Sequence, residues 1–137
     1  MSLAIVTGAN RGIGLSLVKI LKQRGADVLA ACRTGSPELE KLGVEVAEDV
    51  DVTHAEGVAK LVAAVRDRNI ALLINNAGIL LTEQLEGLDF ESIQQQLAVN
   101  ALGPLRVTAA LRRRLEKGAK VGFITSRMGS IDDNSSG

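Results

Sequence analysis

The chain's 137 residues suffice for one domain with a core of its own and are too few for two. Apolar residues make up 46% of it, which excludes a disordered or fibrous class. With Phe90 and Phe123 as its only aromatics it lacks stacking platforms for single-stranded nucleic acid, and with basic and acidic residues at 16 each no polyanionic partner is implied.

Short apolar runs alternate with longer amphipathic segments, the pattern of βαβ units around a parallel sheet. Leu3 to Thr7 is predicted as a first, buried strand that runs straight into a glycine-rich turn. Ile13, Leu17, Ile20 and Leu21 then recur at helical spacing, and Gly25 is placed to end that helix. Val28 to Cys32 reads as a second strand closed by the turn signal Thr34-Gly35-Ser36-Pro37, and Val44 to Ala47 as a short third. Thr53 and Glu56 predict a capping box before a helix that carries Leu61, Val62 and Val65. Leu72 to Ile74 is the fourth predicted strand, running into Asn75-Asn76-Ala77-Gly78. A long helix is expected from about Phe90 to Glu116, bent near Gly103-Pro104 because proline lacks a backbone donor. Val121 to Thr125 is the fifth strand, and a polar tail follows from Ser130 to Gly137. Right-handed crossovers then predict one α/β domain over residues 1–137, a doubly wound parallel sheet of Rossmann type, order 3-2-1-4-5, with ligands held at the carboxyl ends of the strands.

Cys32 is the sole cysteine, so there is no intrachain disulfide and no cysteine-built metal site; a lone thiol fits a reducing compartment. The apolar run at the N-terminus has no basic leader and falls far short of a membrane span, so a cytoplasmic protein without membrane contact is expected. His54, the only histidine, reads as a solvated turn residue, and Arg112-Arg113-Arg114 as a solvated helix face rather than a nucleic-acid patch.

The turn Thr7-Gly8-Ala9-Asn10-Arg11-Gly12-Ile13-Gly14 carries the first chemical signal. Gly8 permits the tight turn, Gly12 lets backbone approach a pyrophosphate, and Gly14 allows a helix to pack closely on a strand. The helix start then offers free N–H groups and a positive dipole end to phosphates. A tight connection without a ligand is the other reading of the turn alone.

Thr7 to Gly14 matches the TGxxxGxG motif of the short-chain dehydrogenase/reductase family, which the chain resembles, and Asn75 to Gly78 matches that family's NNAG motif. Asp51-Val52 after the third strand, Asn100 in the long helix and Ser126 after the fifth strand fall in the family's order, so the resemblance spans essentially the whole chain. It implies a dinucleotide cofactor and a small carbonyl or secondary alcohol as substrate. Asp51 and Val52 would take the adenine, and Asn76, Ala77 and Gly78 would neighbour the cofactor beside Gly8, Asn10, Arg11, Gly12, Ile13 and Gly14. On the residues alone, Asp51 also reads as a helix cap, and Asn76 as a tie between strands.

Family members that take NAD carry an acid at the end of the second strand, where Cys32 stands here; Arg33 follows, and Arg11 lies in the glycine-rich turn. Two guanidinium groups suit a 2′-phosphate, so NADP(H) is expected over NAD(H), with solvated surface arginines as the other reading. The resemblance gives Ser126 the substrate oxygen and Asn100 a proton-relay water held through its helix. Outside that frame Ser126 reads as a strand-end turn residue and Asn100 as a helix-bend residue. The family's tyrosine and lysine, in a Y-x-x-x-K motif, would fall beyond Gly137, and the chain has no tyrosine at all. The expectation is a front portion ending after the fifth strand, inactive by itself, whose uncovered sheet edge favours a homo-oligomer. A non-catalytic dinucleotide-binding or signalling module is the alternative.

Overall fold

In the computed structural model, which describes residues 2–133 and 135, five strands form one parallel sheet of order β3-β2-β1-β4-β5. The strands are β1 (Leu3–Thr7), β2 (Asp27–Ala31), β3 (Glu45–Ala47), β4 (Ile70–Asn75) and β5 (Leu115–Phe123). The helices are α1 (Gly12–Gln23), α2 (Pro37–Lys41), α3 (Ala55–Val65), α4 (Phe90–Leu97) and α5 (Gly103–Leu111). The strand order is the expected one, and β1 occupies the expected residues.

Every residue of β1 is buried, as a central strand covered on both faces requires. Its side chains alternate: Leu3 and Ile5 join Leu61, Val65, Val107 and Leu111 beneath α3 and α5. Val6 turns to the other face and packs with Val18 and Leu39 of α1 and α2. Of the apolar residues whose spacing marks α1, Ile13 and Ile20 are exposed; Gly14 and Val18 carry the helix's buried face instead.

Four features differ from the sequence expectations, each for a physical reason. The Gly-Ser-Pro turn goes on into α2, where Ser36 caps by accepting from the Leu39 N–H and Pro37 sits in the first turn. The capping box before α3 does not form: His54 holds the cap position, and the Thr53 hydroxyl donates to Asp51 instead. The long helix is three pieces, α4, a π-helical turn at Ala98–Leu102 and α5, closed by a 3₁₀ turn at Arg112–Arg114. Pro104 cannot donate to the Asn100 carbonyl four residues back, and the Gly103 N–H bonds the Ala98 carbonyl five residues back. The fifth strand starts at Leu115 and ends at Phe123; its register against β4 breaks between Ile70 and Leu72, where Gly118 at φ +84° accommodates a bulge.

Two glycines separate steric from conformational need. A Cβ on Gly14 would lie 2.1 Å from the Gly8 carbonyl oxygen and 2.6 Å from the Asn76 amide nitrogen. A Cβ on Gly12 would meet nothing within 4 Å, but its φ is +56°. Gly14→Ala is therefore expected to cost about 2–3 kcal/mol by overpacking, and Gly12→Ala only about 1 kcal/mol of left-handed backbone strain. Urea unfolding of both variants checks the ranking; equal losses would contradict it.

Candidate functional site

The site is built where β1 and β4 end side by side. The Thr7 hydroxyl accepts the backbone N–H groups of Asn76 and Ala77, each at 3.0 Å, and Asn76 Nδ2 donates to the carbonyls of Thr7 and Gly8 at 3.1 Å. The glycine-rich turn is thus fixed against the end of β4. Gly8, at φ +62°, turns the chain while its missing Cβ leaves room for Ala77.

A cleft of about 520 Å³ opens above this junction. Every residue expected near a cofactor lines it except Gly14, which lies beneath the turn as the packing glycine. Arg11 is the extended residue just before α1 and makes no side-chain cap, and the first turn of α1 holds no acid. The first N–H groups of α1 are therefore left for a ligand, with the positive end of the helix dipole behind them. Arg33 and Cys32 line the same cleft from β2, and Val50, Asp51 and Val52 from the segment after β3. Among the described residues neither Arg11 nor Arg33 is engaged in an ion pair. Their charge is not consumed internally.

Asp51 is held by its neighbours rather than by the helix. Oδ1 accepts from the Thr53 N–H at 2.9 Å and the Thr53 hydroxyl at 2.6 Å, while Oδ2 lies 3.2 Å from His54 Nδ1. The Thr53 hydroxyl, aided by its N–H and by His54, holds this carboxyl below the usual aspartate value against the opposing effect of burial. His54 itself is largely exposed, as expected. Gly57 lets α3 press on the same turn, since a Cβ there would lie 2.3 Å from the Asp51 carbonyl oxygen.

A second cleft, about 550 Å³, continues the first and shares Ala77 and Gly78 with it. Asn100 and Ser126 both line it, so the two residues assigned the substrate end by resemblance are brought to one place. The Asn100 side chain is a clamp: Oδ1 accepts the Ile79 N–H at 2.9 Å, and Nδ2 donates to the Ile79 carbonyl at 2.7 Å. It stands on the π-helical turn, where the α-helical ladder is interrupted. Ser126 Oγ accepts the Met128 N–H at 3.2 Å as the cap of a 3₁₀ turn at Arg127–Gly129, which leaves its proton available to the cleft. At the floor, Asn75 Nδ2 donates to the Thr108 hydroxyl, and its buried Oδ1 meets no partner among the described residues.

Other contributors are not singled out by the sequence, Ser36, Gln95 and Val99 among them. Ser36 donates to the Asn10 carbonyl at 2.6 Å, so the residue that caps α2 also ties that loop to the glycine-rich turn. The signal was present as a Ser-Pro pair with a glutamate after it, the mark of a helix start. Gln95 on α4 and Val99 on the π-helical turn also line this cleft, five residues and one residue before Asn100, a placement that only tertiary packing reveals. Among the described residues no helix is long and apolar enough to cross a membrane.

A sequence profile of the short chain dehydrogenases matches residues 2–135. A 1-hydroxy-2-glutathionyl-2-methyl-3-butene dehydrogenase from Rhodococcus sp. strain AD45 is 41% identical over 139 residues, which takes in 100% of this chain and 62% of that protein. The 17-beta-hydroxysteroid dehydrogenase type 6 of Homo sapiens is 37% identical over 115 residues, 77% of this chain and 36% of its own length. Among solved structures, a carbonyl reductase from Pseudomonas aeruginosa PAO1 in complex with NADP superposes with a TM-score of 0.89 at 33% identity, covering 96% of this chain and 61% of that one. The chain thus spans less than two thirds of the length of these relatives.

Thr53→Val removes the hydroxyl that contributes most to the lowered Asp51 pKa, so the Asp51 carboxyl is expected to titrate at higher pH than in the parent. A depressed folded-state pKa contributes stability that is present above the unfolded value and lost as pH falls through the folded one. The variant should therefore keep a smaller contribution above the unfolded value and have lost all of it at a higher pH on acidification. Carboxyl-carbon NMR titration checks this, and an unmoved midpoint would contradict it.

Proposed function

This chain belongs to the short chain dehydrogenase family, and from that premise we propose that it holds NADP(H) in preference to NAD(H) for hydride exchange with a small carbonyl or secondary alcohol. The observation that carries the cofactor choice is the pair Arg11 and Arg33, two cations without internal partners in one cleft, with a thiol at position 32 where an acid would favour NAD. The family relationship and the solved NADP complex of a relative support the same reading.

The residues fit such a group end to end. The adenosine end would lie between Arg11, Arg33 and Val52, the phosphates over the free N–H groups at the start of α1, and the nicotinamide past Ala77 and Gly78 toward Ser126. When bound, the cofactor supplies or accepts the hydride. Ser126 presents a hydroxyl to the substrate oxygen, while Asn100 fixes the Ile79 backbone next to Gly78, which both clefts share. The sequence contains no tyrosine, so none of these 137 residues supplies a phenolic proton, and cofactor binding without ordinary turnover is our reading of this stretch by itself. The exposed Phe90 and Leu97, outside both clefts, support self-association into a homo-oligomer.

Fluorescence titration with NADPH and NADH tests the cofactor choice. Arg33→Ala is expected to weaken NADPH by about 1.5–3 kcal/mol, roughly ten- to a hundredfold in Kd, and to leave NADH nearly unchanged. Tighter binding of NADH than NADPH by the parent chain would overturn the assignment.

A further inference from the structure

Just past β3, Glu48 stands on the segment paired with Cys32 and Arg33, two residues of the cleft wall, and the sequence motifs do not single it out. Strand-like pairing continues past both strands: the Cys32 N–H bonds the Ala47 carbonyl, the Val50 N–H the Cys32 carbonyl, and the Asp49 N–H the Arg33 carbonyl, at 3.0 Å each. Glu48 is thereby set opposite Cys32, and Asp49, at φ +56°, turns the chain immediately after it. The Glu48 side chain runs over Gly35: a Cβ there would stand 2.6 Å from Glu48 Oε1, so the missing side chain at position 35 leaves its path open. Its field is felt at the cleft wall, where the Cys32 thiol is pushed up by burial first and by Glu48 second. Asp49 beside it is paired with Lys60 at 3.1 Å, whereas Glu48 has no ion-pair partner among the described residues.

We propose that Glu48 is a specificity-determining residue, whose carboxylate opposes the charge that Arg11 and Arg33 attract and so restrains the preference for a 2′-phosphate. The inference rests on the NADP(H) reading above. A ligand with a 2′-phosphate brings a dianion toward Arg11 and Arg33, and the Glu48 carboxylate lowers its affinity by repulsion. A ligand with a 2′-hydroxyl carries no charge at that position and is indifferent to the repulsion. The side chain is exposed, so its neutralisation leaves the core untouched.

The test compares 2′,5′-ADP with 5′-AMP, two fragments that differ by the phosphate in question, by calorimetric titration of the parent chain, Glu48→Gln and Asp49→Asn. Glu48→Gln should tighten 2′,5′-ADP by about three- to tenfold at low salt and leave 5′-AMP within about twofold. The gain should shrink as ionic strength rises, since exposed charges are screened. Asp49→Asn, which removes a carboxylate already neutralised by Lys60, should give a smaller gain. An unchanged ratio of the two affinities in Glu48→Gln, or an equal gain in Asp49→Asn, would overturn the proposal. A parent chain that favours 5′-AMP would instead overturn the Arg11/Arg33 reading, while the change on neutralising Glu48 would still report on Glu48.

Discussion

Four hydrogen bonds between Thr7–Gly8 and Asn76–Ala77 hold the carboxyl ends of the two central strands in register, and the rest of the site hangs on them. They are made by one buried hydroxyl and one amide where two strand ends would otherwise leave backbone groups unpaired. Because the glycine-rich turn is tied to the end of β4, the start of α1 is pinned above the sheet, and Gly14 is forced into contact with Gly8. The same knot delivers Ala77 and Gly78 to the point where both clefts meet, and the Asn100 clamp on Ile79 carries the restraint on to α5. Sequence motifs far apart in the chain are in this way one mechanical unit.

Along that unit the electrostatic character changes. At one end lie two guanidinium groups that make no ion pair among the described residues, and the first N–H groups of a helix. At the other lie Ser126, Asn100 and the apolar side chains of Pro104, Leu105 and Phe123. Charge is concentrated where phosphates would sit and withheld where an uncharged carbonyl would react. Asp51 adds an ordered carboxylate at the first end, where Thr53 and His54 fix its orientation.

How much of this was legible in the sequence depends on whether a signal was local. The buried first strand Leu3 to Thr7, its run into Gly8 and the strand order all follow from pattern and crossover handedness, and the structure has all three. Every residue expected near the cofactor also gathers in or under one cleft, because the motif spacing encodes strand ends. The failures share a cause: a competing partner that only the fold supplies. Thr53 and Glu56 have capping-box spacing, yet Asp51 is nearer to the hydroxyl than the helix start is. Gly103-Pro104 announces a bend, but whether the ladder answers with a kink or a π-helical turn depends on what Asn100 must hold. Ile13 and Ile20 keep helical spacing but face outward, since the contact surface of α1 is set by Gly14 and Val18. Ser36 was hidden because its second bond reaches across to Asn10.

The central claim is that one ligand spans both clefts, its phosphorylated adenosine at Arg11 and Arg33 and its reactive ring at Ser126. Backbone amide shifts in a two-dimensional NMR titration test it most directly. The account requires that 2′,5′-ADP move Gly12, Ile13, Arg33 and Val52 and leave Asn100 and Ser126 in place, and that NADPH move both sets. NADPH that left Asn100 and Ser126 unmoved, or that moved them without touching the glycine-rich turn, would contradict it.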